Sequence, residues 1–521
     1  MDQIKTPRSL MRNYFIVIAA TLTSNILALV REILTAKYFG VSASIDSFVV
    51  AFSFISIFTY MFTSGLMQSA TIPLFAQYSQ DADKGKAFFS NLMSFVSLAS
   101  GLLILTIIGA VLYLPGLLSM IAPGFSPEEI LNVRIYIEIL SVIVFFVVLG
   151  SVMISILQFR GAFFTSFSSY IVNNIVIIVF LLAFAGIWGI KSVVIGTSAG
   201  GFFGFLVLVW FTSKERISYS FRPIQFDHKI KSFLAAITPI FLFIFFSQIE
   251  MMFEKAFVSA TSSGNIAALN YAYKLALIPV MIFGTGLAIA GFPALASLIA
   301  NKKTEDAIKV SAKITESLRA LVYSLIPLSV FLYVFSVPCI RFFLERGIFS
   351  AEASVRTGAA LQYYALGILG QAMIIYLCRI FYAYRDFWTP LKIGAVVWGM
   401  QILLCWALVR WVGYTGVAMA NALCVYLCSG AMILVLLRKF IPINVFSIIR
   451  FLAKMVILAV ISAISSISLI KIAGIGGKLS VIGNFVIFGF IFLLGTYLLK
   501  TPETMVILSK ARGFFKKTKG I

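Results

Sequence analysis

From about residue 13 to residue 499 the chain is a succession of apolar runs, separated by short polar, glycine- or proline-bearing breaks. An α-helix rises about 1.5 Å per residue, so about 20 apolar residues cover the hydrocarbon core of a bilayer. The runs near 13–37, 45–72, 87–113, 131–157, 164–186, 190–212 and 232–257 each meet that length. So do those near 267–298, 309–336, 357–383, 389–411, 415–437, 446–470 and 478–499. The pattern predicts an all-α polytopic membrane protein with about 14 transmembrane helices. The first run is too long for the apolar part of a secretion signal and lacks a convincing cleavage site, so it is read as a retained span.

A weak internal repeat organises these spans. "GSVMISIL" at 150–157 and "GQAMIIYL" at 370–377 share Gly, Met-Ile and Leu at matching places, 220 residues apart, near the ends of spans four and ten. "WGIKSVVIG" opens span six and "YTGVAMANA" opens span twelve. Six spans is an even number, so the two halves share one orientation and form a parallel repeat, the kind whose substrate sites lie where the halves meet. The predicted division is an N-terminal six-helix lobe at 1–225, a C-terminal six-helix lobe at 226–440, two additional helices at 441–500 and a basic tail at 501–521.

Composition narrows the function. The chain is 61% hydrophobic, against about 45–50% for ordinary soluble domains, so a soluble protein is excluded. The formal charge of +22 points to the membrane and away from nucleic acid because of where it falls. Lys5, Arg8, Arg12, Lys214, Arg216, Arg222, Lys229, Lys231, Lys302, Lys303, Arg438 and Lys439 share one side of the predicted topology with the tail residues Lys510, Arg512, Lys516, Lys517 and Lys519. The opposite loops include "LPGLLSMIAPGFSPEEI" and "SATSSGNIA", without Lys or Arg. Excess Lys and Arg marks the cytoplasmic face, so both termini are expected there, with the tail anchoring topology and meeting anionic lipid headgroups. Cys339, Cys378, Cys405, Cys424 and Cys428 form no metal or disulfide framework, and Cys424 and Cys428 read as small residues at a helix contact. The single histidine, His228, lies on the cytoplasmic side, and no metal, phosphate-loop or nucleophile motif is found. A membrane-embedded glycosyltransferase or sugar polymerase would need carboxylates or histidines on large outer loops, which this chain lacks. The expectation is a protein that is not an enzyme and needs no cofactor.

Two spans carry charge where lipid would penalise it. In the first, Thr21, Ser24, Asn25, Ala28, Arg31, Glu32 and Thr35 recur at three- and four-residue spacing and share one helical face. A charge at a helix centre costs roughly 2.5–3.5 kcal/mol on insertion scales, so this stripe faces protein or an aqueous cavity. Either Arg31 and Glu32 form a structural network that seals the bundle, or Arg31 supplies fixed charge to a cavity wall that binds an anion. In span seven, Ser247, Glu250 and Glu254 fall on one face with Gln248 beside it, and Lys274 follows in span eight. Two buried carboxylates four residues apart must be paired, protonated or ion-bound. They make a cation or proton site, or they neutralise Lys255 and Lys274.

"ALVREILTAKYFGVSASIDSFVVAF", "APGFSPEE", "SQIEMMFEKAF", "FLERGIFSAEAS" and "RIFYAYRDFWTPLKI" together resemble the lipid II flippase family, also called MviN or MurJ. That family belongs to the multidrug/oligosaccharidyl-lipid/polysaccharide exporter superfamily, and the resemblance runs from about residue 15 to 440. It implies two six-helix lobes in an inverted V around a cationic cavity, with a groove at the last two helices for a polyprenyl tail. Arg31 sits where the family has a first-helix arginine, Asp46 where it has an aspartate opening span two, and Lys274 where it has a span-eight arginine. This chain departs from the pattern at Asn25, where the family has arginine, at Thr59 and Tyr60, near another arginine position, and at Ser64, where an acid is usual. Glu254 matches one ligand of a sodium site known in some members, but Gln401 and Cys405 replace the amide–carboxylate pair of span eleven.

The implied function is a flippase carrying undecaprenyl-diphosphate-linked saccharide, lipid II foremost, from the inner to the outer leaflet of the cytoplasmic membrane. Arg31, Lys274, Asp46, Asn25, Ser24 and Glu32 are the candidate substrate residues. Glu250, Glu254, Gln248 and Gln401 are the candidates for proton or sodium coupling, which the sequence does not itself support. Another lipid-linked oligosaccharide is the alternative cargo. A drug or cation antiporter of the same superfamily would need an acidic cavity, which Arg31 and Lys274 oppose. The expected partners are this glycolipid and anionic lipid, without nucleic acid, and the protein is expected to be a monomer.

Overall fold

Sixteen α-helices and one π-helical turn make up the described structure, and no strand occurs among the described residues. The computed structural model describes residues 7–63, 82–215, 228–287, 304–472 and 477–505, with scattered positions between 67 and 75, between 295 and 299, and at 474. Lys5, Ser64, Arg216, Arg222, Lys302, Lys303 and the tail from Lys510 to Lys519 lie outside these residues, as does the expected contact of the tail with lipid. The helices are α1 (Pro7–Phe39), α2 (Ala43–Thr63), α3 (Ala82–Tyr113), α4 (Pro115–Ile121), α5 (Pro127–Phe159), α6 (Phe163–Trp188) and α7 (Lys191–Lys214). Then come α8 (His228–Ser259), α9 (Asn265–Pro279), α10 (Thr304–Val334), α11 (Ser336–Phe343) and α12 (Ala351–Ala383). The last are α13 (Trp388–Val412), α14 (Thr415–Lys439), α15 (Val445–Ile472) and α16 (Gly477–Leu498). Twelve described helices are long and apolar enough to cross a bilayer. With α1 and α8, of 33 and 32 residues, the described long helices number fourteen.

Local chemistry fixes where helices start and bend. Ser126 and Glu129 form a capping box at α5, with Pro127 in the first turn, where its missing N–H costs nothing. The Asn444 side chain accepts the Ser447 N–H at the start of α15, at 2.9 Å. Beyond Pro279, α9 runs into the π-helical turn Val280–Thr285. A proline inside a helix removes a donor and crowds the preceding turn, and a π-turn is one way to absorb that.

The chain divides into two compact units, Met1–Ala267 with Arg346–Ser350, and Ala268–Glu345 with Ala351–Ile521. In the first, α6 packs along α7, α5 contacts α2 and α7, α1 lies on α6, and α8 lies on α2. Gly124 of the "APGF" loop donates its N–H to Ser259 Oγ at 3.2 Å, and a Cβ there would stand 2.1 Å from the Ser259 carbonyl oxygen. Only glycine allows that approach. The short 346–350 segment docks through the Ile348 N–H on the Lys37 carbonyl, at 3.0 Å. In the second unit, α12 packs on α14 and α10, α13 on α14, and α15 on α10 and α16. One face of α15 (Phe451, Met455, Ala459, Ser462, Ser466) is buried, while Ile457, Ile461 and Ile464 are exposed, as a lipid-facing side requires. Arg319 of α10 pairs with Glu503 at 3.0 Å and stacks over Phe451 of α15 at 4.4 Å, fixing the chain just after α16.

Hairpin geometry gives the repeat a firmer register. After α5, the Gly161 N–H bonds to the Gln158 carbonyl and the Ala162 N–H to the Leu157 carbonyl, with Gly161 at φ +78°. After α12, Arg385 bonds to Tyr382 and Asp386 to Phe381 in the same pattern, with Arg385 at φ +59°. The α6–α7 and α13–α14 turns also match, through Gly189 at φ +56° and Gly413 at φ +73°. Both pairs are 224 residues apart (385 − 161 and 413 − 189). The 220-residue offset of the sequence match is therefore one helical turn out of register. Four residues return a helix to nearly the same face, which is how a shifted match survives.

Asp386 anchors the second hairpin: it accepts the Thr389 N–H at 3.0 Å and pairs with Lys439 at 2.6 Å. Partial burial pushes its carboxyl up, but hydrogen bonds from Lys439 and Thr389, with the lysine charge, outweigh that and hold it below the usual carboxylate range. A depressed carboxyl stabilises the fold above its unfolded pKa, and the contribution fades as pH falls through the lower folded value. Thermal unfolding of the purified protein below about pH 4 should be less pH-dependent in Asp386→Asn than in the parent. At the other hairpin, Gly161→Ala should lose about 1–2 kcal/mol, the cost of a side chain in the left-handed region. Arg385→Ala, where a side chain already occupies that conformation, should be near neutral in the same unfolding measurement.

Candidate substrate-contacting site

The polar stripe of α1 is turned to the protein, and α6 supplies what it meets. Arg31 Nη2 contacts Glu32 Oε1 at 2.8 Å, and Nη1 donates to Asn174 Oδ1 at 3.1 Å. The Asn174 amide nitrogen donates to the Tyr170 carbonyl at 3.0 Å and reaches the Ser24 hydroxyl and carbonyl at 3.4 Å. One amide thus joins Ser24, Arg31 and α6. Thr35 is buried and bonds back to the Arg31 carbonyl at 2.8 Å. Leu22, Ile26 and Val30 form an exposed apolar face, and Asn25 lies exposed at the margin between the two. The guanidinium has five N–H groups, and beyond Glu32 and Asn174 it has no further hydrogen-bond partner among the described residues. Its side chain keeps 26% of its surface exposed. One N–H on each terminal nitrogen is thus held, by Glu32 and by Asn174.

Asp46 is engaged differently. It is 2% exposed, and its two oxygens accept the Gly264 N–H at 2.5 Å and the Ala267 N–H at 2.7 Å. Those are main-chain donors at the start of α9, where a helix leaves N–H groups unsatisfied and favours negative charge. In this structure the carboxylate fixes the entry to α9.

On α8, Glu250, Glu254 and Gln248 are all buried. Glu254 lies 3.6 Å from Lys255 Nζ, so one of the two candidate carboxylates has a cation beside it. Gln248 reaches the Met251 sulfur at 4.0 Å. In the second unit Lys274 is half-buried on α9, while Gln401 and Cys405 are buried one turn apart on α13. No cluster of three or more His, Cys, Asp or Glu able to hold a metal occurs among the described residues.

Asn174 is the residue that sequence reading missed. Its signal was the pair "NN" inside the apolar run "SSYIVNNIVIIVF" of span five, since an amide in a membrane helix needs an internal partner.

The fold and the family follow from comparison with known proteins. The structure matches "Lipid II flippase MurJ, inward closed conformation" with a TM-score of 0.78 and 23% identity, covering 93% of this chain and 99% of that one. It also matches an inward-facing multidrug resistance MATE family transporter of the MOP superfamily, with a TM-score of 0.67 and 14% identity, over 79% of this chain and 93% of that one. The fold is the one these two solved structures share. The family model described as "Lipid II flippase MurJ" matches residues 35–485, and the chain belongs to that family. A probable lipid II flippase MurJ of Borreliella burgdorferi is 25% identical over 448 residues, 85% of this chain and 86% of its own. That of Rhizobium tropici is 27% identical over 445 residues, 83% of this chain and 81% of its own.

Asp46→Asn keeps one acceptor oxygen and loses the charge, so one of the two N–H groups at α9 loses its bond. The expected cost is about 1–2 kcal/mol, read as a lower unfolding midpoint in detergent. An unchanged midpoint would mean that the cap contributes nothing to the fold.

Proposed function

We propose that this chain moves undecaprenyl-diphosphate-linked saccharide, lipid II in the first instance, from the inner to the outer leaflet of the bacterial cytoplasmic membrane by alternating access. The observation that carries the reading is Arg31: a guanidinium within a membrane helix, held by Glu32 and Asn174 and still part-exposed, in a chain of the lipid II flippase family. A guanidinium matches a diphosphate because its planar fork grips two oxygens at once. Lys274 on α9 is the second cation we assign to the diphosphate, as a point charge without that fork. Ser24, Asn25 and Glu32 belong to the polar face that would meet the head group, and Asp46 acts through the start of α9. The apolar tail stays in lipid.

The distribution of Lys and Arg supports cytoplasmic termini, and the basic tail is suited to anionic headgroups. Coupling to protons or sodium through Glu250, Glu254, Gln248 and Gln401 is not part of the proposal, since Glu254 already lies beside Lys255.

In a strain depleted of its own flippase, Arg31→Ala should fail to restore growth at normal membrane abundance. Arg31→Lys should restore it in part, and Lys274→Arg fully. Full rescue by Arg31→Ala would remove the diphosphate site from α1. The glycolipid that accumulates in the inner leaflet on depletion identifies the cargo, and a saccharide other than that of lipid II would assign the chain to another lipid-linked oligosaccharide.

A further inference from the structure

The exposed side of α15 is cationic where the helix begins and apolar beyond. Arg450, Lys454, Ile457, Ile461 and Ile464 follow one another at three- and four-residue spacing, so they share one side of the helix, and all five are exposed. The next helix adds a third cation. Gly495 of α16 lies against Leu458 of α15, and Gly483 against Ile470, so the two helices run antiparallel. Lys500, just past the end of α16, therefore comes level with the turn of α15 that holds Arg450 and Lys454. It too is exposed, and its φ of +49° is a left-handed conformation in which glycine or asparagine is usual. None of the three cations pairs with a carboxylate among the described residues. Glu503 is engaged by Arg319, which stacks on the buried side of α15, and Glu316 by Lys313.

Like charges one turn apart disfavour the helix that carries them, and a lysine in the left-handed region adds strain. An anion shared by the three side chains turns both costs to use. The apolar residues say what kind of anion it is. From Lys454 to Ile464 the helix rises about 15 Å, half of the roughly 30 Å hydrocarbon core, so the isoleucines run the depth of one leaflet. A phosphodiester lipid sets its negative charge among the cations and its acyl chains along the isoleucines. The arginine fork takes two phosphate oxygens, and the lysines act as point charges. A headgroup with its own ammonium would bring a fourth cation into the cluster, so a headgroup without one is favoured. We infer that Arg450, Lys454 and Lys500 form a binding site for an anionic glycerophospholipid of the bilayer, of the phosphatidylglycerol type. The site involves neither Arg31 nor Lys274, and the inference does not depend on the flippase reading.

The test uses the purified full-length protein in a neutral detergent. It is titrated with phosphatidylglycerol or phosphatidylethanolamine of the same acyl chains, and bound lipid is read by native mass spectrometry. The parent should bind phosphatidylglycerol about tenfold more tightly, the worth of one charge-assisted hydrogen bond. Arg450→Gln combined with Lys454→Gln should bring that ratio close to one. Lys392→Gln, which removes an exposed cation of α13, should leave it unchanged. Both lipids are measured on one preparation, so a loss of folded protein cancels from the ratio. Equal affinity of the parent for the two lipids overturns the site, as does a preference that survives in the double variant. A preference lost equally in Lys392→Gln marks general surface charge and overturns it as well. Undecaprenyl phosphate that binds more tightly than phosphatidylglycerol, and is lost in the double variant, would give the cluster to the polyprenyl carrier and overturn its assignment to a bilayer phospholipid.

Discussion

A charge placed in hydrocarbon has to be satisfied by the protein that carries it, and much of the first unit is arranged around that requirement at Arg31. The guanidinium fixes which face of α1 turns inward, and that face sets the side on which Leu22, Ile26 and Val30 meet lipid. Asn174 completes the arrangement from α6, and because it also reaches Ser24 it bonds α1 at two levels. Glu32, the next residue on α1, balances the charge at 2.8 Å, and the Asn174 amide adds a hydrogen bond from α6 without a further charge.

In the second unit, ion pairs join segments far apart in sequence. Arg319 and Glu503 hold the chain after α16 against α10 and α15, and Asp386 with Lys439 holds the α12–α13 hairpin beside the end of α14. The first spans 184 residues of sequence and the second 53. The long stretches between them are held by apolar surface and by close helix approaches at small residues, such as Gly370 against Val425.

What the sequence revealed, and what it hid, follows from the range of each interaction. Spans were legible because hydrocarbon thickness imposes a length that each run must meet on its own. The inward face of α1 was legible because a helical period needs no knowledge of the partner. Asn174 was not, since it meets Arg31 across 143 residues, and nothing in the local pattern says which helix will lie opposite. Asp46 illustrates the same limit. Its place at the head of span two was visible, but its engagement with the main chain of Gly264 and Ala267 depends on where α9 begins. The repeat was visible as a resemblance of side chains, whereas its register had to come from the main-chain bonds of the turns.

Those turns have a further consequence. The two hairpins that follow α5 and α12 adopt one conformation with glycine in the first and arginine in the second. Shape has been kept while the residue that suits it best has been kept in only one copy. A connector specified this way behaves as an interchangeable part: its form is dictated by the helices it joins, and its residues are at liberty to diverge. The arginine copy carries a cation where the glycine copy carries nothing, so one turn plan serves two connectors of unlike charge.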